Sequence, residues 1–152
     1  MRVLAVVMLL AVAACESAPP APSLAPEKAV EQFMWNYTAA WNKDDAAVIA
    51  RDFYRQGPSV AEQTVSLKNS FAQLKAQGYD HSDIHEIKAC ITGADTAWAG
   101  MKFTRLTAAG TPLPPRDRAS AYELKKFDDG WRILKLMGAD AADGVEVGDE
   151  AG

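Results

Sequence analysis

Residues 81–108 read HSDIHEIKACITGADTAWAGMKFTRLTA. Apolar and polar residues change places here at every second position. His85, Ile87, Ala89 and Ile91 share one side of the first half, and Ala97, Ala99, Met101 and Phe103 share one side of the second. That is the side-chain period of a β-strand. Between the halves, Gly93-Ala94-Asp95 reads as a turn, glycine and aspartate both being common turn residues. Strands over 82–92 and 96–108 therefore pair antiparallel. Downstream, Ser120, Tyr122 and Leu124 alternate in a strand over 117–128, and a last strand covers 131–138. The turn Asp128-Asp129-Gly130 joins those two, and the proline-rich TPLPP at 111–115 is a longer connection.

Upstream of Gly78 the period is helical. Val30, Phe33, Met34, Tyr37 and Trp41 recur at three- and four-residue steps along 27–43, with Pro26 suited to a first helical turn. Asn42-Lys43-Asp44 ends this helix, and Asp44 or Asp45 can cap a second one carrying Val48, Ile49 and Phe53. Ser59-Val-Ala-Glu62 is a capping box opening a third helix, with Leu67, Phe71 and Leu74 on one side and Gly78 at its end. Helices followed by a meandering antiparallel sheet make an α+β domain over 27–138, of a kind that leaves a cavity between its layers.

The N-terminus is an address. Arg2 precedes an unbroken apolar run and then small residues, so 1–14 has the layout of a secretory signal peptide. Val12-Ala13-Ala14-Cys15 resembles the bacterial lipobox. In proteins with that box the thiol takes a diacylglycerol, the preceding peptide is cleaved and the new amino group is acylated, with palmitate among the chains. Two or three chains hold a protein at a bilayer far better than one. The resemblance implies a lipoprotein anchored at Cys15 in the bacterial cell envelope and facing the periplasm. Glu16, where an aspartate would favour the inner membrane, leans the reading toward the outer membrane. Residues 15–26 form a tether, since ESAPPAPSLAP (16–26) holds four of the chain's eight prolines and almost nothing that could enter a core. Residues 139–152, with Asp140, Asp143, Glu146, Asp149 and Glu150, read as an acidic disordered tail.

Composition narrows the functions. With 152 residues, one domain is expected. A net charge of −4 repels a phosphate backbone, so no nucleic acid is expected as partner. No Gly-rich phosphate loop, paired CxxC, HExxH or GxSxG occurs, and no cofactor is expected. With Cys15 lipidated, Cys90 has no partner; it shares the outward parity of Glu86 and Lys88.

The order and landmarks resemble the nuclear transport factor 2-like superfamily, in particular its SnoaL-like and ketosteroid-isomerase-like branches. The landmarks are Tyr37-Thr-Ala-Ala-Trp41 running into Asp44-Asp45, Gly93-Ala-Asp-Thr-Ala-Trp98, and Asp129-Gly130-Trp131-Arg132-Ile133. The resemblance implies a cone-shaped roll of about three N-terminal helices on a curved antiparallel sheet. It implies no single function, because this fold hosts isomerases, dehydratases, hydrolases and members with no chemistry. Ketosteroid isomerases use a tyrosine on the first helix, a carboxylate base and a later protonated aspartate. Tyr37 stands at the first position and Tyr122 at the last, whereas the base position falls near Ala61.

The expected pocket lining is Phe33, Tyr37, Trp41, Phe53, Met101, Phe103, Tyr122 and Leu124. His85 is the best remaining acid/base candidate, with Tyr37 and Tyr122 as hydroxyl donors. No metal is expected, because His81 and His85 on one strand stand roughly 13 Å apart. Asp52 and Arg105 are each either a polar pocket residue or a solvated surface charge, the commoner case. Trp98, with Lys102 and Thr104, lies on the outer sheet face, which suggests a homodimer surface. The leading reading is a non-catalytic, membrane-anchored protein whose cavity binds a small apolar ligand. The alternatives are an isomerase, dehydratase or hydrolase acting on a small hydrophobic substrate, and a protein-interaction module.

Overall fold

A computed structural model describes residues 24–140, with the side chains described to residue 137. The stretch read as a signal peptide, Cys15 and most of the stretch read as a tether, like the expected tail from residue 141, lie outside the described residues.

Helix α1 spans Pro26–Trp41 with proline in its first turn. It buries Val30, Met34, Tyr37, Thr38 and Ala40, one stripe at helical spacing. Asn42 closes it, and Asp44 turns the chain at φ 55°. The Asp45 carboxylate accepts from the Val48 amide at 3.1 Å and so starts the short α2, Ala46–Val48. That helix does not continue as an α-helix. Residues Ile49–Phe53 form a π-helical turn, in which the Tyr54 amide reaches back five residues to the Ile49 carbonyl at 3.0 Å.

Helix α3 spans Val60–Ala76 behind the expected cap at Ser59. The Ser59 hydroxyl accepts from the Glu62 amide at 3.2 Å and donates to the Glu62 carboxylate at 2.7 Å, so Glu62 is engaged at the helix start. Leu67 and Phe71 are its buried residues, and Gly78 (φ 89°) follows its end.

Four strands then form one antiparallel sheet in chain order: β1 His81–Ile91, β2 Thr96–Leu106, β3 Arg118–Phe127 and β4 Gly130–Asp140. Strand β4 runs two residues into the stretch read from sequence as acidic tail, pairing Ser120 with Ala139 and Ala119 with Asp140. The backbone ladder of β3 continues there, and it holds these residues whatever their polarity.

The core lies between the helices and one sheet face. Met34, Ile49, Leu124 and Ile133 are fully enclosed at its centre, with Ala97, Ala99 and Ile87 from the sheet around them. The helical layer is hydrogen-bonded to both outer strands. The Asn42 side-chain amide donates to the Ser82 carbonyl at 2.8 Å and accepts from the Ser82 amide at 2.9 Å, on β1. At the other margin Tyr54 bridges to Ile133 of β4, and the Arg55 amide donates to the Ile133 carbonyl at 2.9 Å.

Candidate functional site

Between α1 and the sheet lies a cavity of about 220 Å³. Strand parity supplies its floor. Met101, Phe103 and Arg105 alternate along β2, and Arg118, Ser120 and Tyr122 along β3, so both sets face the helices. Tyr37, Thr38 and Trp41 come from the buried side of α1, Ser82 and Ile84 from β1, and Tyr54 from the end of the π-helical turn.

Of the pocket residues expected from sequence, Tyr37, Trp41, Met101, Phe103 and Tyr122 line the cavity. Phe33, Phe53 and Leu124 do not. The rings of Phe33 and Phe53 pack on each other at 5.3 Å, and Leu124 is wholly enclosed in the core behind. These three are as apolar as the true lining, and apolarity alone does not separate a cavity wall from filled core.

His85 requires a correction. Ile84 pairs with Phe103 and Glu86 with Lys102, which leaves His85 as the extra residue of a β-bulge. Before the bulge Ser82 and Ile84 face inward, after it Ile87 does, and His85 falls on the other side. Its Nε2 shares a 2.7 Å hydrogen bond with the Thr104 hydroxyl on the outer face, with the side chain 47% exposed. The imidazole therefore stands off the cavity and is no candidate base for chemistry inside it. His81 shares a hydrogen bond with Asp80 at 2.8 Å, separately from His85. Among the described residues no cluster of His, Cys, Asp and Glu side chains is arranged to hold a metal. Asp52 makes a two-point contact with Arg51 at 2.7 Å, away from the cavity.

Three phenols meet at the cavity's inner end. The Tyr37 and Tyr54 hydroxyls lie 2.8 Å apart, and the Tyr37 and Tyr122 rings meet edge-on at 5.8 Å. Burial, with the mutual repulsion of neighbouring phenolates, pushes the Tyr37 hydroxyl well above its ordinary pKa, and burial does the same to Tyr54. Tyr122 is also raised by burial, against the opposing hydrogen bonds of Ser120 and Tyr37. All three remain protonated at neutral pH and act as hydrogen-bond donors and acceptors, not as bases. Nearer β1, the Trp41 indole donates to the Tyr79 hydroxyl at 3.1 Å, which lies 3.0 Å from the Ser82 hydroxyl. Arg105 and Arg118 complete the wall. Among the described lining residues there is no carboxylate and no imidazole.

Sequence reasoning does not reach Tyr54, Arg118, Ser120, Ser82 or Asn42. For Ser120 and Arg118 a signal exists in the parity of Tyr122, which they share. For Tyr54 there is none, because a regular helix through Phe53 would aim it elsewhere.

A sequence model of the family described as "NTF2-like protein (DUF6841)" matches residues 26–141. No curated protein matches the chain. Among solved structures it is similar to an NTF2-like protein with a cystatin-like fold from Novosphingobium aromaticivorans, at 18% identity and TM-score 0.54 over 78% of this chain and 82% of that one. It is also similar to an NTF2-like superfamily protein from Salmonella enterica serovar Typhimurium, at 12% identity and TM-score 0.56 over 82% and 95%. A third is Aln2 from a Streptomyces species, at 14% identity and TM-score 0.55 over 74% and 90%. At these identities the likeness concerns the fold.

Proposed function

This chain belongs to the NTF2-like family DUF6841, and from that premise we propose that it is a lipid-anchored envelope protein whose cavity binds a small, mainly apolar molecule without transforming it. One observation carries the binding half. The cavity wall combines aromatic and aliphatic surface with hydroxyls held protonated, and its described residues include no group that takes up a proton at neutral pH. Proton abstraction needs a base within hydrogen-bond reach of the substrate. With His85 on the outer face, the isomerase, dehydratase or hydrolase reading loses the base it depended on. The anchoring half rests on the lipobox-like Val12-Ala13-Ala14-Cys15 and the proline-rich spacer after it, with the domain facing the periplasm from the outer membrane.

Native mass spectrometry of protein extracted from envelopes tests the binding half. The expected result is a co-purifying small molecule, recovered chemically unchanged and lost when Ser120→Phe fills the cavity while the thermal transition is retained. Conversion of that molecule on incubation with the protein would instead establish an enzyme.

A second reading concerns the outer sheet face. Trp98 is 49% exposed there, opposite Cys90 on β1 and Glu123 on β3. Tryptophan is enriched in protein interfaces relative to the rest of a protein surface. Its exposure here supports a homodimer through this face that includes Lys102; Thr104, expected there as well, is only 4% exposed and is covered by His85, so it is not part of the surface. Sedimentation at micromolar concentration should give twice the monomer mass, reduced to the monomer by Trp98→Glu; a monomer before substitution removes the reading.

A further inference from the structure

Two guanidiniums in the cavity wall have no carboxylate partner among the described residues. Arg118 faces Phe103 across the β2–β3 ladder, and Arg105 lies two residues further along β2 on the same side. They are therefore diagonal neighbours, about 7–8 Å apart at the backbone. Arg51, Arg55 and Arg132 each pair with an aspartate, whereas no ion pair engages Arg105 or Arg118 among the described residues. Arg105 lies toward the rings of Tyr79 and Phe103, at 5.9 and 6.0 Å from their centres. Arg118 donates from Nη2 to the Pro114 carbonyl at 2.8 Å. Its Nε is shielded from solvent and meets no acceptor among the described residues. A buried donor left unpaired is costly, and so are two like charges set side by side. Burial and then the charge of Arg105 both push the Arg118 pKa down. In a chain of net charge −4, this is a local concentration of positive charge inside an otherwise neutral wall.

We propose that the cavity takes a small organic acid, its carboxylate held between Arg105 and Arg118 and its apolar body against Ile84, Met101, Phe103 and Leu136. The proposal rests on the reading of the cavity as a binding site. A guanidinium matches a carboxylate in shape as well as charge and offers it paired N–H donors. The volume of about 220 Å³ lies below the usual range for pockets that take drug-sized ligands and favours one ring or a short chain.

The test is calorimetric titration of the full chain in lipid nanodiscs, corrected for empty discs, with 3-phenylpropanoate, its neutral analogue 3-phenylpropanamide, and inorganic phosphate. The acid is expected to bind at least about tenfold more tightly than the amide, the size of a charge-assisted pair. Arg105→Met and Arg118→Gln should each remove most of that preference without changing the thermal transition. The glutamine amide keeps a donor for the Pro114 carbonyl, and Arg105→Met gives an independent second variant. Equal binding of acid and amide overturns the proposal but leaves the binding cavity standing. Binding of neither overturns both. Phosphate binding as tightly as the acid overturns the organic-acid assignment in favour of a bare anion site.

Discussion

Tyr37, Tyr54, Tyr79 and Tyr122 are all the tyrosines of the chain, and burial raises the pKa of each above the ordinary 10.0. The sign for stability follows from which state holds the proton. Below the unfolded value both states are protonated and pH has no effect through these groups. Above it the unfolded chain releases protons that the folded one retains, so stability falls as pH climbs past about 10. A 295 nm titration should show no phenolate step near pH 10 and one cooperative rise at unfolding; a step near 10 in folded protein would contradict the packing around these rings. His85→Ala should leave ligand affinity within about twofold, since surface changes distant from a site have small effects; a tenfold loss by calorimetry would return the imidazole to the cavity. Tyr37 and Tyr122 are legible as cavity residues because each carries the parity of its element. Arg105 reads by its charge as solvent-exposed, although it shares the parity of Met101 and Phe103. Charge is a good guide to exposure on average, and it misleads where a cavity requires it.

The helices and strands themselves are readable from periodicity, and the departures from periodicity are not. One extra residue at His85 inverts the alternation carried back from Ile87-Ala89-Ile91, and no residue type there announces it. The π-helical turn at Ile49–Phe53 has the same character: one residue added to a helix turns Tyr54 into the cavity. Both are local insertions whose reason is tertiary. Where the elements are regular, their energetics can be stated. Met34 is fully enclosed on α1, and Met34→Ala should cost about 2–5 kcal/mol. Denaturant unfolding would read this as a lower midpoint at constant slope. Gly130 opens β4 at φ 106°, a conformation that carries a penalty for any residue with a Cβ. Gly130→Ala should cost about 1–2 kcal/mol from the backbone alone, because the added methyl would sit 3.6 Å from the Arg132 guanidinium, an ordinary contact. A neutral result in the same unfolding assay would mean the hairpin can take another turn.

For the molecule as a whole, the proposed anchor gives the clearest expectation. Cys15→Ser should abolish palmitate labelling and move the protein from the membrane fraction to the soluble one; persistence in the membrane fraction would require another attachment. The architecture is legible because each of its parts has its own period and punctuation, from Pro26 to Gly130. The contents of the cavity are less so, because they depend on how two layers face each other. The paired contacts at Asn42–Ser82 and Tyr54–Ile133 stitch the helical layer to opposite edges of the sheet. A box fastened along both sides does not gape. A ligand entering or leaving it then passes between side chains at its mouth, with the two layers kept in place on either side.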